Sequence, residues 1–239
     1  MLKTEHIIIN EYTTIINNNN VFTIEFKYQS YSLINSLLKT RLIQGGSTDE
    51  FYKTVTFKAA NIKTLNQYLN DKIKKRGKKN LLIPEVAKAI LDLVKQLEYL
   101  INVESKTIIG YSPNDIIIIN DETFVFLNSE LITDIDQDTE QITITWPFST
   151  RYFFLSPELL KIKEIPSLIH FKTSYFSFAC LIIYFLLGDD EFYISYLKKS
   201  QPEEVINELD NHIIKETKLY WFLSRCLTKS EKERCLILI

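Results

Sequence analysis

From Glu5 to Tyr28, apolar and polar residues alternate on either side of Asn17-Asn18-Asn19-Asn20. Alternation predicts half-buried strands, and asparagine tolerates the positive φ of a tight turn, so two strands joined at the asparagines are expected. Tyr31 to Leu42 carries Leu33, Leu37 and Leu38 at helical spacing, which predicts a short helix. Gly45-Gly46 makes a second turn, and Phe51 to Phe57 (FYKTVTF) is rich in β-formers and predicts another strand. The first sixty residues thus read as a small sheet with one helix.

Beyond them the period changes. Thr64 to Leu69 opens a helical segment, and DKIKKRGKKN (Asp71 to Asn80) reads as a basic loop around Gly77. Pro84 suits the first turn of a helix whose Val86, Ile90, Leu93, Val94, Leu97, Leu100 and Ile101 share one face. Asp115 to Ile119 and Thr123 to Leu127 predict two short strands across Asn120-Asp121. An acidic, irregular stretch (Asp134 to Glu140) and the aromatic segment TWPFSTRYFFLSPELL follow. Within Thr173 to Gly188 (TSYFSFACLIIYFLLG), the run from Tyr175 to Leu187 is apolar on every side except at Ser177, and the stretch has polar ends, Lys172 before it and Asp189, Asp190 and Glu191 after it. It is shorter than the ~20 residues of a membrane span, so it predicts a helix buried in protein and capped by Gly188. The remainder to Ile239 reads as helical, and no internal repeat is visible.

Composition narrows the classes. With 46% hydrophobic and 24% charged residues among 239, the chain is expected to fold as an ordinary globular protein with a sizeable core. A formal net charge of -2 predicts no general affinity for nucleic acid or membrane surfaces. Cys180, Cys226 and Cys235 are odd in number and widely spaced, which predicts neither a disulfide framework nor zinc and fits a reducing, intracellular and cytoplasmic setting. No secretory signal is read in MLKTEHIIIN. Heavy use of Ile, Asn, Lys, Tyr and Phe, with only five glycines, is typical of AT-rich coding sequence, as in some parasites and many large DNA viruses; for a virus the setting would be host cytoplasm or virion.

The order of elements resembles the eukaryotic-type protein kinases, mostly between Thr64 and Arg234. TLNQYL resembles the helix after the hinge, and Pro84 to Ile101 the long helix before the catalytic loop. PNDIIIIND resembles the P-E-N-I-L element, and SPELL (Ser156 to Leu160) the A-P-E motif. KTSYFSFACLIIYFLLG is similar to the K-x-D-V-W-S-L-G helix, and CLTKSEKER to the closing element with its arginine. The resemblance implies an α+β, two-lobe fold: a reduced, β-rich N-lobe over residues 1–60 and a mainly helical C-lobe over 61–239.

Phosphoryl transfer on that fold needs a glycine-rich cover, a lysine, two metal-holding groups and a catalytic aspartate. The resemblance sets the H-R-D triplet on Ile108-Ile109-Gly110, so Gly110 stands where the aspartate belongs. The D-F-G triplet falls on Asn128-Ser129-Glu130, and a neutral amide is a weaker Mg²⁺ ligand than a carboxylate. The metal-binding asparagine maps to Asp115. No glycine precedes Gly45, the helix after the candidate lysine, Lys27, holds no glutamate, and the aspartate of the buried helix becomes Ser174. Glu158 and Arg234 match the family's structural ion pair. Scaffold retained and chemistry lost implies a pseudokinase: no catalytic residue, no cofactor, and a protein partner such as an active kinase or a structural assembly. An atypical active kinase with relocated metal groups and an unrelated α+β structural protein are the alternatives.

Read from the residues alone, several of these positions have plainer roles. Lys27 fits an exposed strand lysine as well as a nucleotide contact, and Asp115 a capping aspartate as well as a metal ligand. Asp134, Asp136, Asp138 and Glu140 lack the glycine and final glutamate of a calcium loop. Lys72, Lys74, Lys75, Arg76, Lys78 and Lys79 form either a solvated loop or an anion or nucleic-acid patch. His6, His170 and His212 show no ligand spacing. Trp146, Phe148, Tyr152, Phe153 and Phe154 form a docking surface or pack inward. Arg151, one residue from Thr150, falls where active Ser/Thr kinases carry a substrate-contacting threonine.

Overall fold

The computed structural model describes residues 5–147, 154–188 and 202–237. It is mixed α+β. The chain begins with β1 (Glu5–Asn10), β2 (Thr13–Asn18), β3 (Val21–Phe26), α1 (Tyr31–Lys39), β4 (Ser47–Thr48) and β5 (Thr54–Lys58). Next come β6 (Ile62–Thr64), α2 (Leu65–Arg76), α3 (Ile83–Glu104), β7 (Lys106–Ile108), β8 (Ile116–Ile119) and β9 (Thr123–Phe126). Then follow β10 (Ile132–Asp134), β11 (Gln141–Ile144), α4 (Pro157–Leu160), β12 (Ser167–His170), α5 (Thr173–Leu187), α6 (Pro202–Asn211) and α7 (Lys218–Cys226). Among the described residues, no helix is long and apolar enough to cross a membrane.

Two compact units emerge. The first gathers residues 1–77, 82–106 and 113–132; the second gathers 78–81, 107–112 and 133–239. The long helix and the hairpin after it therefore cluster with the early sheet, whereas the expected boundary at residue 60 set them with the later helices.

The first unit holds a five-stranded antiparallel sheet in the order β1-β2-β3-β5-β4. Its first segment makes three strands, not the two expected from alternation. The extra reversal at Glu11-Tyr12 is built by a side chain, Asn10 Oδ1 accepting from the Tyr12 backbone N–H at 2.9 Å. The Asn17–Asn20 turn forms as expected, with Asn19 and Asn20 at φ 51° and 65°. The strand expected from Phe51 begins only at Thr54, because Asp49 Oδ1 accepts from the N–H groups of Lys53 and Thr54 and folds Phe51-Tyr52 into a turn.

The basic loop expected over 71–80 is also corrected. Asp71 to Arg76 are the last turns of α2, and Gly77 (φ 71°) is its left-handed cap. Lys and Arg are good helix formers, and here they have partners. Lys72 pairs with Glu85 and lies over the Tyr68 ring, Arg76 reaches Glu85 at 3.6 Å, and Asp71 pairs with Lys63. Lys74, Lys75 and Lys78 are exposed, and Lys79 lies 6.0 Å from the Tyr184 ring.

The apolar stripe of α3 is buried, with two polar residues on the same face. Gln96, fully buried, donates to the Phe126 carbonyl and accepts from the Phe126 N–H, both at 3.0 Å. Asp92 accepts from the Phe124 N–H at 3.1 Å and is neutralised by Lys88. The open edge of β9 is thus satisfied by helix side chains rather than by a further strand, which fixes the β8–β9 hairpin and the residues at its ends.

The second unit is organised around α5, in which every residue from Thr173 to Leu186 is buried. A fully buried Leu, Ile or Phe contributes about 1.5–3 kcal/mol, so this helix anchors the unit, with α6 and α7 packed on it. Gly188 caps it at φ 62°; a Cβ there would lie 2.3 Å from the Asn80 backbone nitrogen. The Leu81 N–H donates to the Phe185 carbonyl at 2.9 Å. One pairing was not expected from sequence: β11 and β12 form an antiparallel ladder from Gln141↔His170 to Ile144↔Ser167. Beyond Cys226 the described chain is not α-helical, apart from one 3₁₀ turn at Glu231–Glu233, so the expectation of a helical C-terminus holds only to that point.

Candidate functional site

In the first unit, three side chains distant in sequence meet. Asp115 closes the 3₁₀ turn Pro113–Asp115 ahead of β8. Asn128 lies two residues beyond β9, whose position Gln96 and Asp92 secure, and Asn10 ends β1. The Asp115 carboxylate is 2% exposed. Its Oδ2 accepts from the Asn128 amide at 3.0 Å and its Oδ1 from the Asn10 amide at 2.7 Å. The Asn10 amide also donates to the Leu127 carbonyl at 3.1 Å, which accepts from the Thr13 hydroxyl at 3.2 Å as well. Burial pushes the Asp115 carboxyl up to about 6, against the two amide donors, which favour its charged form.

The cluster joins Asp115 and Asn128, the two positions that the kinase resemblance gives to metal-holding groups. The Asn10 amide nitrogen is shared between Asp115 Oδ1 and the Leu127 carbonyl oxygen. Asn10 was not singled out in the sequence; no local pattern marks a residue whose partners lie 105 and 117 positions away.

The kinase resemblance singles out other positions as well. Lys27 is exposed, its ammonium 5.4 Å from the centroids of both Tyr12 and Tyr28. In the second unit, Ile108 and Ile109 are buried with Gly110, which carries no side chain to act. Ser174 does not reach this segment; its hydroxyl donates to the Phe171 carbonyl at 3.0 Å. Ser177, one turn further along α5, donates to the Ile109 carbonyl at 3.3 Å. A serine inside an otherwise apolar helix has to find a buried acceptor, and that was the signal for it.

Glu158 and Arg234 meet in the second unit. Arg234 is 1% exposed and donates from Nη2 to Glu158 Oε1 at 2.7 Å and from Nη1 to Oε2 at 3.0 Å. Its Nε donates to the Thr228 carbonyl at 2.9 Å, and its guanidinium lies over the Phe176 ring. Burial alone would raise the Glu158 carboxyl; the Arg234 guanidinium overrides it and holds the group below its ordinary value.

The acidic stretch is spoken for locally. Asp136 accepts from the N–H groups of Asp138 and Thr139, and Glu140 lies 3.2 Å from His170. Among the described residues, no group of three or more His, Cys, Asp or Glu side chains is placed to hold a metal ion. Phe154 is buried and exchanges backbone hydrogen bonds with Tyr111, while Trp146 is partly exposed. Phe148, Thr150, Arg151, Tyr152 and Phe153, and the acidic boundary Asp189–Glu191, lie outside the described residues. The chain matches no protein-family model and no curated protein.

Proposed function

We propose that this chain is a catalytically inactive, protein-kinase-like module with a reduced N-lobe and a mainly helical C-lobe, a pseudokinase that works by binding other proteins. The observation that carries the reading is the Asp115–Asn128–Asn10 cluster. The two positions that correspond to the metal-holding groups are hydrogen-bonded to each other at 3.0 Å, and the neutral Asn10 amide donates to the other carboxylate oxygen. With Gly110 at the position that the resemblance gives to the catalytic aspartate, that position has no side chain to orient a hydroxyl or take its proton. The bidentate Glu158–Arg234 pair supports the same reading from the scaffold side.

The test is thermal unfolding of the purified chain with ATP and Mg²⁺ or EDTA. A ligand that binds only the native state at a hundredfold excess over Kd stabilises it by about 2.7 kcal/mol. No Mg²⁺-dependent shift is expected at millimolar nucleotide, and a clear one overturns the inactive assignment. Asn10→Ala combined with Asn128→Asp removes the Asn10 amide and sets two carboxylates side by side. A Mn²⁺-dependent rise in Tm confined to that variant would support a site descended from a metal-binding one.

A further inference from the structure

The exposed aromatic residues of the first unit are not scattered. Tyr28, Tyr31 and Phe51 are 50%, 48% and 62% exposed, and Tyr12 and Tyr52 are half-buried beside them. The segments that carry them are tied together by backbone bonds of 2.8 Å: Lys27 N–H to the Tyr12 carbonyl, Ser30 N–H to the Tyr52 carbonyl, and Phe26 N–H to the Lys53 carbonyl. Tyr12 and Tyr28 rings lie 6.2 Å apart and Tyr31 and Tyr52 rings 4.6 Å apart. The Lys27 ammonium lies over both the Tyr12 and the Tyr28 ring. The patch borders an open cleft of about 370 Å³, lined among others by Gln29, Tyr31, Lys106, Ser129 and Ile132. Ser30 directs its hydroxyl to the Tyr28 carbonyl, so the first turn of α1 beside the cleft has no side-chain cap.

We infer that this patch is a docking surface for a proline-rich peptide bearing arginine or lysine, supplied by another protein. A polyproline II strand has no internal hydrogen bonds, so its carbonyls need donors and its rings need flat apolar faces. Tyrosine supplies both at low entropic cost, and aromatic-lined grooves bind such strands in this way. Charge selects the basic version. Glu11 is next to Tyr12, Asp49 and Glu50 directly precede Phe51, Glu104 meets Ser32 and Glu130 acts on Tyr12, against Lys27, Lys53 and Lys106. Glu11 and Glu130 act on Tyr12 itself, and Glu104 accepts from Ser32 at the cleft. A phosphate backbone would meet an excess of carboxylates. The chain cannot supply the strand itself, since none of its six prolines lies closer than nine positions to another. The proposal stands on these residues whether or not the chain is kinase-like.

The experiment is fluorescence anisotropy of the full chain with a fluorescein-labelled peptide of repeated Arg-Pro-Pro units. A Glu-Pro-Pro peptide of equal length and an oligo-dT strand serve as comparisons. Saturable binding of Arg-Pro-Pro is expected, with Glu-Pro-Pro at least about tenfold weaker, a ~1.4 kcal/mol difference. Tyr28→Ala with Tyr31→Ala should weaken Arg-Pro-Pro by at least about tenfold. Phe51→Ala, at the most exposed of the rings, should weaken it with an unchanged Tm, which separates lost contact from lost fold. The inference is overturned by no saturation at millimolar chain, by tighter binding of oligo-dT, or by full affinity in the tyrosine variant. Self-association of the wild-type chain that the tyrosine changes abolish would also overturn it, since a second copy would then be the occupant.

Discussion

Asp115 in the first unit and Glu158 in the second are both carboxylates withdrawn from water, and burial moves both toward protonation. In the second unit a guanidinium in bidentate contact more than reverses that pressure and holds Glu158 charged. In the first, two neutral amides reverse it only partly, and Asp115 stays raised to about 6. Hydrogen bonds to an anion supply dipoles; a salt bridge supplies a full opposite charge in a medium of low dielectric. The first arrangement leaves an acid on the edge of neutrality, and the second fixes an ion pair as a structural joint.

The largest effect expected from this contrast is at the ion pair. Glu158→Ala leaves the Arg234 guanidinium buried without its counter-charge, and breaking one partner of such a pair costs about 3–5 kcal/mol. Because the Glu158 side chain retains 21% exposure, the lower end, ~3 kcal/mol, is expected from chemical denaturation. A loss within about 0.5 kcal/mol, the range of ordinary surface changes, would mean that the pair is not a joint.

An effect of at most similar size, and of opposite pH sign, is expected at Asp115. Its native value lies above the ordinary carboxylate value of 3.8, so between roughly pH 4 and 6 the native state holds a proton that the unfolded chain has released. Stability attached to this group therefore falls as pH rises through that window, by up to about 3 kcal/mol at 1.36 kcal/mol per unit. Glu158, held below its ordinary value, works the other way: its contribution is present above 4.5 and is lost as pH falls. Asp115→Asn should remove the loss between pH 4 and 6 and leave the acid-side loss in place. If the slope over that window is the same in wild type and variant, Asp115 is not the group that titrates there.

How legible these sites are in the sequence depends on the distance over which each is specified. The α5 run and the α3 stripe are long, periodic and apolar, and both helices lie close to where the pattern puts them. The end of α2 was obscured by its lysines, which read as solvent-facing before their partners Glu85 and Tyr68 are known. β11 and β12, four residues each, are too short to show a period. The Glu158–Arg234 pairing was suggested only by resemblance, which marked Asp115 and Asn128 singly without joining them, since no local physics links residues 76 or 13 positions apart. Asn10 escaped both routes, and it is the residue that closes the cluster.

The finest test of the scaffold is Ser177→Ala. The Ser177 hydroxyl is fully buried and donates to the carbonyl of Ile109, the residue before Gly110. Removing it leaves that carbonyl without the Ser177 donor inside an apolar helix–loop contact, whereas Ser174, whose hydroxyl only bonds back to Phe171 within its own turn, has no such distant partner. A buried acceptor deprived of its donor costs about 1–3 kcal/mol, and the 3.3 Å length places this bond at the weak end. Ser177→Ala should therefore cost ~1 kcal/mol and Ser174→Ala less, measured as the two denaturation midpoints at equal slope. If Ser174→Ala is the costlier of the two, the hydrogen bond from Ser177 is not what braces the Ile108-Ile109-Gly110 segment.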